Sequence, residues 1–128
     1  GTVQRERVYN GTADIWRASW MADYPDAENY LSLLASRNLA PHGPNTTRWQ
    51  NPVYDRLLEQ ATQTLAPDER HRLYHRAESL HLAESPVIPL YYYASVRMVR
   101  PYVRHEPMCA MNLVFPLKHI RFIQPQPE

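Results

Sequence analysis

Two proline-led helix starts lie close together near the middle of this chain of 128 residues. Asn51 followed by Pro52 is a strong start, because asparagine caps free N–H groups and proline is tolerated at the first helical position. A second start at residues 67–69 leads a helix that runs to about residue 84. The sequence therefore predicts a helical hairpin broken at Ala66-Pro67. Apolar residues recur at spacings of three and four along its first helix, which gives that helix one apolar face: Tyr54, Leu57, Leu58, Ala61 and Leu65.

Two other segments have the composition of strands. Ile15 to Met21 mixes aromatic and aliphatic residues with little alternation, which is typical of a strand covered on both faces. Val87 to Val99 is rich in tyrosine, valine and isoleucine. A short helix is expected between Asp26 and Ala35, and a short final strand between Leu117 and Ile123. We therefore predict an α/β fold in which a helical hairpin packs on a short sheet.

Length and composition limit the organisation and the partners. A chain of 128 residues allows one domain but not two lobes with a cleft between them, so residues 1–128 are expected to form a single partial domain. Residues 124–128 contain two prolines and are expected to form a frayed tail. Fourteen basic and thirteen acidic residues give a formal charge of +1 without a basic run, which disfavours nucleic acid as a partner. The single cysteine, Cys109, excludes an internal disulfide and argues against a thiolate zinc site.

An acid follows the first predicted strand. Asp23 lies between aromatic residues, Trp20 and Tyr24, and Pro25 then starts a turn. A carboxylate at the end of a strand is placed where ligands of open α/β domains tend to bind. The pattern predicts a site for a cationic ligand group, and the alternative interpretation of Asp23 is a turn acid or a helix N-cap.

Five sequence blocks follow one another as they do in a known receptor family, in order from about residue 9 to residue 123. They are Gly11-Thr12-Ala13-Asp14-Ile15, Trp20-Met21-Ala22-Asp23-Tyr24, Asn51-Pro52-Val53-Tyr54-Asp55, Leu73-Tyr74-His75-Arg76-Ala77-Glu78 and Pro86-Val87-Ile88-Pro89-Leu90-Tyr91-Tyr92-Tyr93. On these blocks the chain resembles the C-terminal part of bacterial oligopeptide- and dipeptide-binding proteins, the extracytoplasmic solute receptors of ABC importers.

The resemblance implies a fold, a location and partners. The chain would be a fragment of the C-terminal lobe of a two-lobed periplasmic-binding-protein fold, and the missing N-terminal lobe of the same chain would complete the cleft. Such lobes close by a hinge over an extended peptide. The full-length parent would then dock on an ABC permease in the membrane. The resemblance further implies a binding protein and not an enzyme, without a cofactor, in the periplasm or anchored outside the cytoplasmic membrane.

The resemblance also assigns roles to residues around the acid. Asp23 would form a salt bridge with the α-ammonium of the bound peptide. Trp20 would lie beside the cleft, and the backbone of Met21 and Ala22 would bond an extended peptide as an added strand does. Arg17 would meet the peptide carboxylate, and in a regular strand it would share a face with Asp23 at roughly 20 Å. Trp16, by contrast, is expected in the core.

Three alternatives remain open. The first is a relative that carries another solute, such as a nickel chelate, haem or an oligosaccharide. The second is the sensory domain of a cytoplasmic transcription regulator, because some regulators carry this receptor fold. The third is an enzyme that uses His71 and His75, which with Glu78 share one helical face at a weak metal-ligand spacing. Neighbouring arginines disfavour a cation on that face.

Overall fold

The computed structural model describes residues 2–94, 96, 98–104 and 120–123. The chain divides into two compact units, residues 1–89 and residues 90–128. The expected tail at residues 124–128 lies outside the described residues, and the single partial domain stays a prediction.

The described part of the first unit contains four α-helices: α1 (Thr2–Asn10), α2 (Ala27–Leu31), α3 (Pro52–Gln63) and α4 (Pro67–Glu84). Gly11, whose φ of 71° suits glycine, follows α1. The short helix predicted after Asp26 is confirmed as α2, which continues into the 3₁₀ turn Ser32–Leu34. None of the described helices is long and apolar enough to cross a membrane.

The predicted hairpin is confirmed as α3 and α4, which begin at the two prolines. The Asn51 side chain accepts hydrogen bonds from the backbone N–H groups of Val53 (2.9 Å) and Tyr54 (3.2 Å), so it caps α3 as its position predicted. The hairpin encloses the apolar core together with α2 and the residues after it. The core residues are Leu31, Leu34, Ala35, Tyr54, Leu57, Leu58, Ala61, Leu73, Tyr74 and Ala77.

The loop at residues 36–50 is anchored by one buried amide. Asn45 is 1% exposed, and its Nδ2 donates to the backbone oxygens of Leu34 (3.0 Å), Ala35 (3.3 Å) and Trp49 (2.9 Å). The loop also contains the 3₁₀ turn Ser36–Asn38, in which the Asn38 N–H donates to the Ala35 oxygen, so the bonds of Asn45 add to this local structure and hold the loop against the end of α2.

The second unit contains a small antiparallel sheet. Strand β1 (Val103–Arg104) pairs with β2 (Arg121–Phe122), with Val103 opposite Phe122 and Arg104 opposite Arg121. Strand β2 lies inside the segment predicted as the final strand, of which residues 117–119 are outside the described residues. The α/β class, with a helical hairpin and a short sheet, is confirmed.

The two longer strand predictions are wrong. Neither Ile15 to Met21 nor the described part of Val87 to Val99 forms a ladder. A strand requires a partner for its backbone N–H and C=O groups, and an apolar composition does not supply that partner. The side chains also lack cover, since Ile15 is 93% exposed and Tyr92 is 95% exposed.

Candidate functional site

One buried asparagine of α2 holds the segment that carries the predicted acid. Asn29 is 5% exposed. Its Oδ1 accepts a hydrogen bond from the indole Nε1 of Trp20 at 2.8 Å and another from the backbone N–H of Asp23 at 3.3 Å. Residues 20–23, the Trp20–Asp23 segment, are therefore tied at both ends to one oxygen atom.

Helix α2 is itself joined to the hairpin at its first turn. Asp26 caps α2, because its Oδ1 accepts from the Glu28 backbone N–H at 2.9 Å. The other oxygen, Oδ2, accepts from Arg70 Nη2 of α4 at 2.6 Å. Arg70 also donates to the Tyr74 hydroxyl at 3.1 Å, and its guanidinium lies 5.3 Å from the Tyr74 ring centre. The cap of α2 is thus Asp26 and not Asp23.

A second group of contacts surrounds Glu28. The Tyr24 hydroxyl donates a hydrogen bond to Glu28, and Arg37 Nη2 lies 3.7 Å from the other oxygen of the same carboxylate. The bond to Glu28 raises the pKa of Tyr24, and the Asn29 side chain acts in the opposite direction. Tyr24, which follows the Trp20–Asp23 segment, and Glu28 of α2 are therefore hydrogen-bonded to each other.

Burial along the Trp20–Asp23 segment differs sharply between neighbours. Ala22 is 5% exposed, whereas Trp20 is 44% and Met21 is 49% exposed. The Asp23 side chain is exposed. In the part of the chain that the structure describes, its carboxylate accepts no hydrogen bond and forms no ion pair. The segment therefore presents an indole, a thioether and a carboxylate to solvent, fixed through Ala22 and Asn29.

The structure brings two of the predicted site residues, Trp20 and Asp23, together at Asn29. Arg17 does not bond Asn29. Arg17 is exposed and lies outside the group joined by Asn29. The regular strand that would put Arg17 and Asp23 on one face does not form, so the parity argument does not apply. Trp16 is half-buried and lines a 330 Å³ cavity with residues of α1 and of the following turn.

The face of α4 that carries His71, His75 and Glu78 was considered as a metal site from its spacing. His75 Nδ1 lies 3.5 Å from Glu78 Oε2, and both side chains are largely exposed. Among the described residues no three histidine, cysteine, aspartate or glutamate side chains are grouped to hold a metal ion. Two of the three residues whose spacing suggested a metal site, His75 and Glu78, therefore form a surface pair with each other.

Sequence reasoning missed Asn29. An asparagine inside a short helix is ordinarily read as a weak helix former whose side chain bonds locally. Its acceptor role depends on how the chain folds back over α2, so no motif or spacing marks it in advance. The only signal is its position three residues after the cap Asp26, within reach of the chain that enters the helix.

The chain has measurable similarity to several bacterial binding proteins. It is 34% identical over 98 residues to the periplasmic murein peptide-binding protein MppA of Escherichia coli K12, covering 77% of this chain and 18% of MppA. It is 38% identical to the probable deoxycholate-binding periplasmic protein YgiS of the same organism, covering 72% of this chain and 16% of YgiS. It is 32% identical to the periplasmic oligopeptide-binding protein OppA of Salmonella typhimurium, covering 74% and 17%.

The fold agrees with these similarities. The solved structure of the Escherichia coli murein tripeptide binding protein MppA matches with a TM-score of 0.78 and 28% identity, over 96% of this chain and 23% of that structure. No protein-family model matches the chain. The chain belongs to the family of bacterial oligopeptide- and dipeptide-binding proteins, and the resemblance in its sequence blocks is confirmed. It spans less than a fifth of the length of the curated relatives it matches.

Proposed function

We propose that this chain is part of the solute-binding component of an ABC peptide importer, which binds extended oligopeptides between two lobes. The observation that carries the proposal is the exposed Asp23 carboxylate, fixed beside the Trp20 indole by a shared bond partner. The receptor would work in the periplasm or anchored outside the cytoplasmic membrane and deliver peptide to a membrane permease. Related proteins named as periplasmic binding proteins support this location and this role.

In the proposed mechanism Asp23 pairs with the α-ammonium of the peptide. A carboxylate that has no partner in the described protein is ready to accept charge-assisted hydrogen bonds from an ammonium group. The backbone of Met21 and Ala22 bonds the extended peptide, and the exposed Trp20 ring covers its first residue. Arg17 binds the carboxylate of peptides whose length reaches it. Binding, without bond making or breaking, is the whole task of these residues.

Closure of the opposite lobe supplies most of the affinity in this mechanism. An ion pair in full contact with water contributes about 0–1 kcal/mol, because water and salt screen it. A closed lobe excludes water, so the same pair and its backbone hydrogen bonds become stronger. Hydrated side-chain pockets would then accept varied sequences.

The first prediction concerns the chain by itself. Because Asp23 is exposed here, its pair with a peptide ammonium should contribute only about 0–1 kcal/mol. Titration calorimetry with trialanine should therefore show no tight binding to the 128-residue chain. A submicromolar affinity would contradict the need for a second lobe.

The second prediction concerns Asp23→Asn in the full-length parent. Removing one member of a buried ion pair typically costs about 3–5 kcal/mol, because its partner is left unpaired. Peptides with a free amino terminus should weaken by that amount, and N-acetylated peptides should change little. Competition binding with matched free and acetylated peptides measures the difference. Asp68→Asn, at an exposed acid of α4, is the control and should leave both unchanged. Equal losses for both peptides would refute the proposed role of Asp23.

A second candidate ligand class follows from the similarity to YgiS, a probable deoxycholate-binding protein. The exposed apolar atoms of Trp20, Met21 and Tyr24 would suit an amphipathic carboxylate. Such a ligand has no ammonium group, and Asp23 would repel its charge. Asp23→Asn should then leave deoxycholate binding unchanged or strengthen it, which is the opposite of the result expected for peptides.

A further inference from the structure

Two groups of the candidate site meet at the side chain of Asn29. Its Oδ1 accepts from Trp20 Nε1 and from the Asp23 backbone N–H. An amide oxygen has two lone pairs, so these two bonds use its full acceptor capacity. Asn29 is also 5% exposed, so its side chain is buried where these two groups meet.

We propose that Asn29 is the positioning residue of the ammonium site: it sets the direction of the Asp23 carboxylate relative to the Trp20 ring and so determines how well the receptor distinguishes a free from a blocked amino terminus. This inference rests on the proposed function. Asn29 itself touches no ligand in this scheme and acts through the two residues that it holds.

The effect should appear in selectivity more than in stability. Trp20 is 44% exposed, so its indole N–H can turn to water when Asn29 no longer accepts from it. The apolar core of the first unit is formed by other side chains of α2, α3, α4 and the turn after α2, and Asn29 is a buried polar residue. Loss of the two bonds therefore releases the Trp20–Asp23 segment while the hairpin remains packed.

The chain contains a matched control in the same neighbourhood. Asn38 also uses its amide to hold backbone near α2, since its Nδ2 donates to the Ser32 carbonyl oxygen at 2.7 Å. Ser32 follows α2 in the chain, whereas the Trp20–Asp23 segment precedes it. Asn38→Leu therefore removes an equivalent structural bond without touching Trp20 or Asp23.

The test uses three variants of the full-length parent: Asn29→Leu, which removes the acceptor; Asn29→Asp, which keeps it; and Asn38→Leu. Calorimetry with trialanine and N-acetyl-trialanine gives the affinity ratio of the free over the blocked peptide. The indole ¹H–¹⁵N resonance of Trp20, assigned with Trp20→Phe, reports its bond to Asn29. If Asn29→Leu does not fold, Asn29→Ala is measured in its place.

We expect Asn29→Leu to reduce the affinity ratio by about tenfold, the equivalent of two ordinary hydrogen bonds, and to shift the Trp20 resonance. Asn29→Asp should keep the resonance, and its added negative charge beside Asp23 should not lower the ratio, whereas Asn38→Leu should keep both unchanged. A merely structural role would lower the affinity for the two peptides equally and leave the ratio unchanged.

The outcomes separate this inference from the function on which it rests. If the wild-type parent prefers free trialanine and Asn29→Leu keeps that preference, the proposed function stands and the positioning role is refuted. A loss of preference in Asn29→Asp equal to that in Asn29→Leu would also refute it. If the wild-type parent shows no preference, the ammonium site and the positioning role fall together.

Discussion

The α3–α4 hairpin and the Trp20–Asp23 segment obtain their structure in different ways. The hairpin is capped by its own Asn51, starts each helix at a proline and buries Tyr54 and Leu58 almost completely. The segment has no helix or strand and is fixed by the burial of Ala22 and by the bonds of Asn29. One region is built from local signals and a core, the other from a few tertiary contacts.

The hairpin mainly stabilises the fold, whereas the Trp20–Asp23 segment mainly offers groups to a ligand. Apolar burial in the hairpin provides most of the free energy of folding, since each large side chain contributes roughly 1.5–3 kcal/mol when it leaves water. The segment keeps its indole, thioether and carboxylate exposed, so it contributes little to folding but has groups available for a ligand. Substitutions in the hairpin should therefore lower the stability of the fold, whereas substitutions in the segment should lower ligand affinity and leave stability nearly unchanged.

The largest expected effect on stability comes from a substitution in the hairpin core. Leu58 is 1% exposed, so Leu58→Ala should lower the free energy of unfolding by about 2–5 kcal/mol through lost burial and the cavity left behind. Met21→Ala, at a side chain that is 49% exposed, should change it by less than about 0.5 kcal/mol. Urea unfolding of the chain followed by circular dichroism measures both. Similar losses of unfolding free energy in the two variants would contradict the proposed difference between the two regions.

An intermediate effect is expected at the start of α3. Asn51→Ala removes the acceptor for the N–H groups of Val53 and Tyr54 and should cost about 1 kcal/mol. Asn51→Ser keeps a capping oxygen and should recover most of that loss. Thermal unfolding of both variants tests the assignment. If serine and alanine are equally destabilising, the bonds of Asn51 to Glu84 across the hairpin matter more than the cap.

The smallest effect should appear only in acid and comes from His81. His81 is 7% exposed, its Nδ1 has no partner in the part of the chain described, and the ring lies edge-on to Tyr54 at 6.2 Å. Burial lowers the pKa of His81, and Glu78 on the same helix opposes that change. Tyr54 is the titratable side chain shown against the ring from α3, and burial raises its pKa far above neutral pH.

The sign of the acid effect follows from the lowered pKa. Above the unfolded-state pKa of about 6.5 both states hold neutral His81, so stability is complete. As the pH falls below that value, the unfolded chain binds a proton that the folded chain resists, and stability decreases. Between about pH 7 and about pH 5, His81→Leu should flatten the decline in unfolding free energy. Replacement of the exposed His71 by leucine should leave the slope unchanged; an equal flattening would assign the acid effect elsewhere.

The hairpin could be predicted from sequence because its signals are local. The Asn51-Pro52 pair and the apolar spacing that follows act within one helix, and the structure has both as far as Ala61, whereas Leu65 lies beyond the end of α3 and is 96% exposed. The strand at Ile15 to Met21 could not be predicted correctly, because a strand depends on a partner that the segment does not encode. Asp23 and Trp20 are predictions from the place of the acid before a turn and from the family resemblance, whereas Asn29, which joins them, depends on how the chain folds back over α2 and has no periodic signal in the sequence.

The bond between Arg70 and Asp26 has a mechanical consequence. Arg70 of α4 holds the cap of α2, and Asn29 of α2 holds the Trp20–Asp23 segment, so three side chains connect the hairpin to the carboxylate in series. Arg70 therefore helps to set the position of Asp23, although its own hydrogen bonds are to Asp26 and Tyr74.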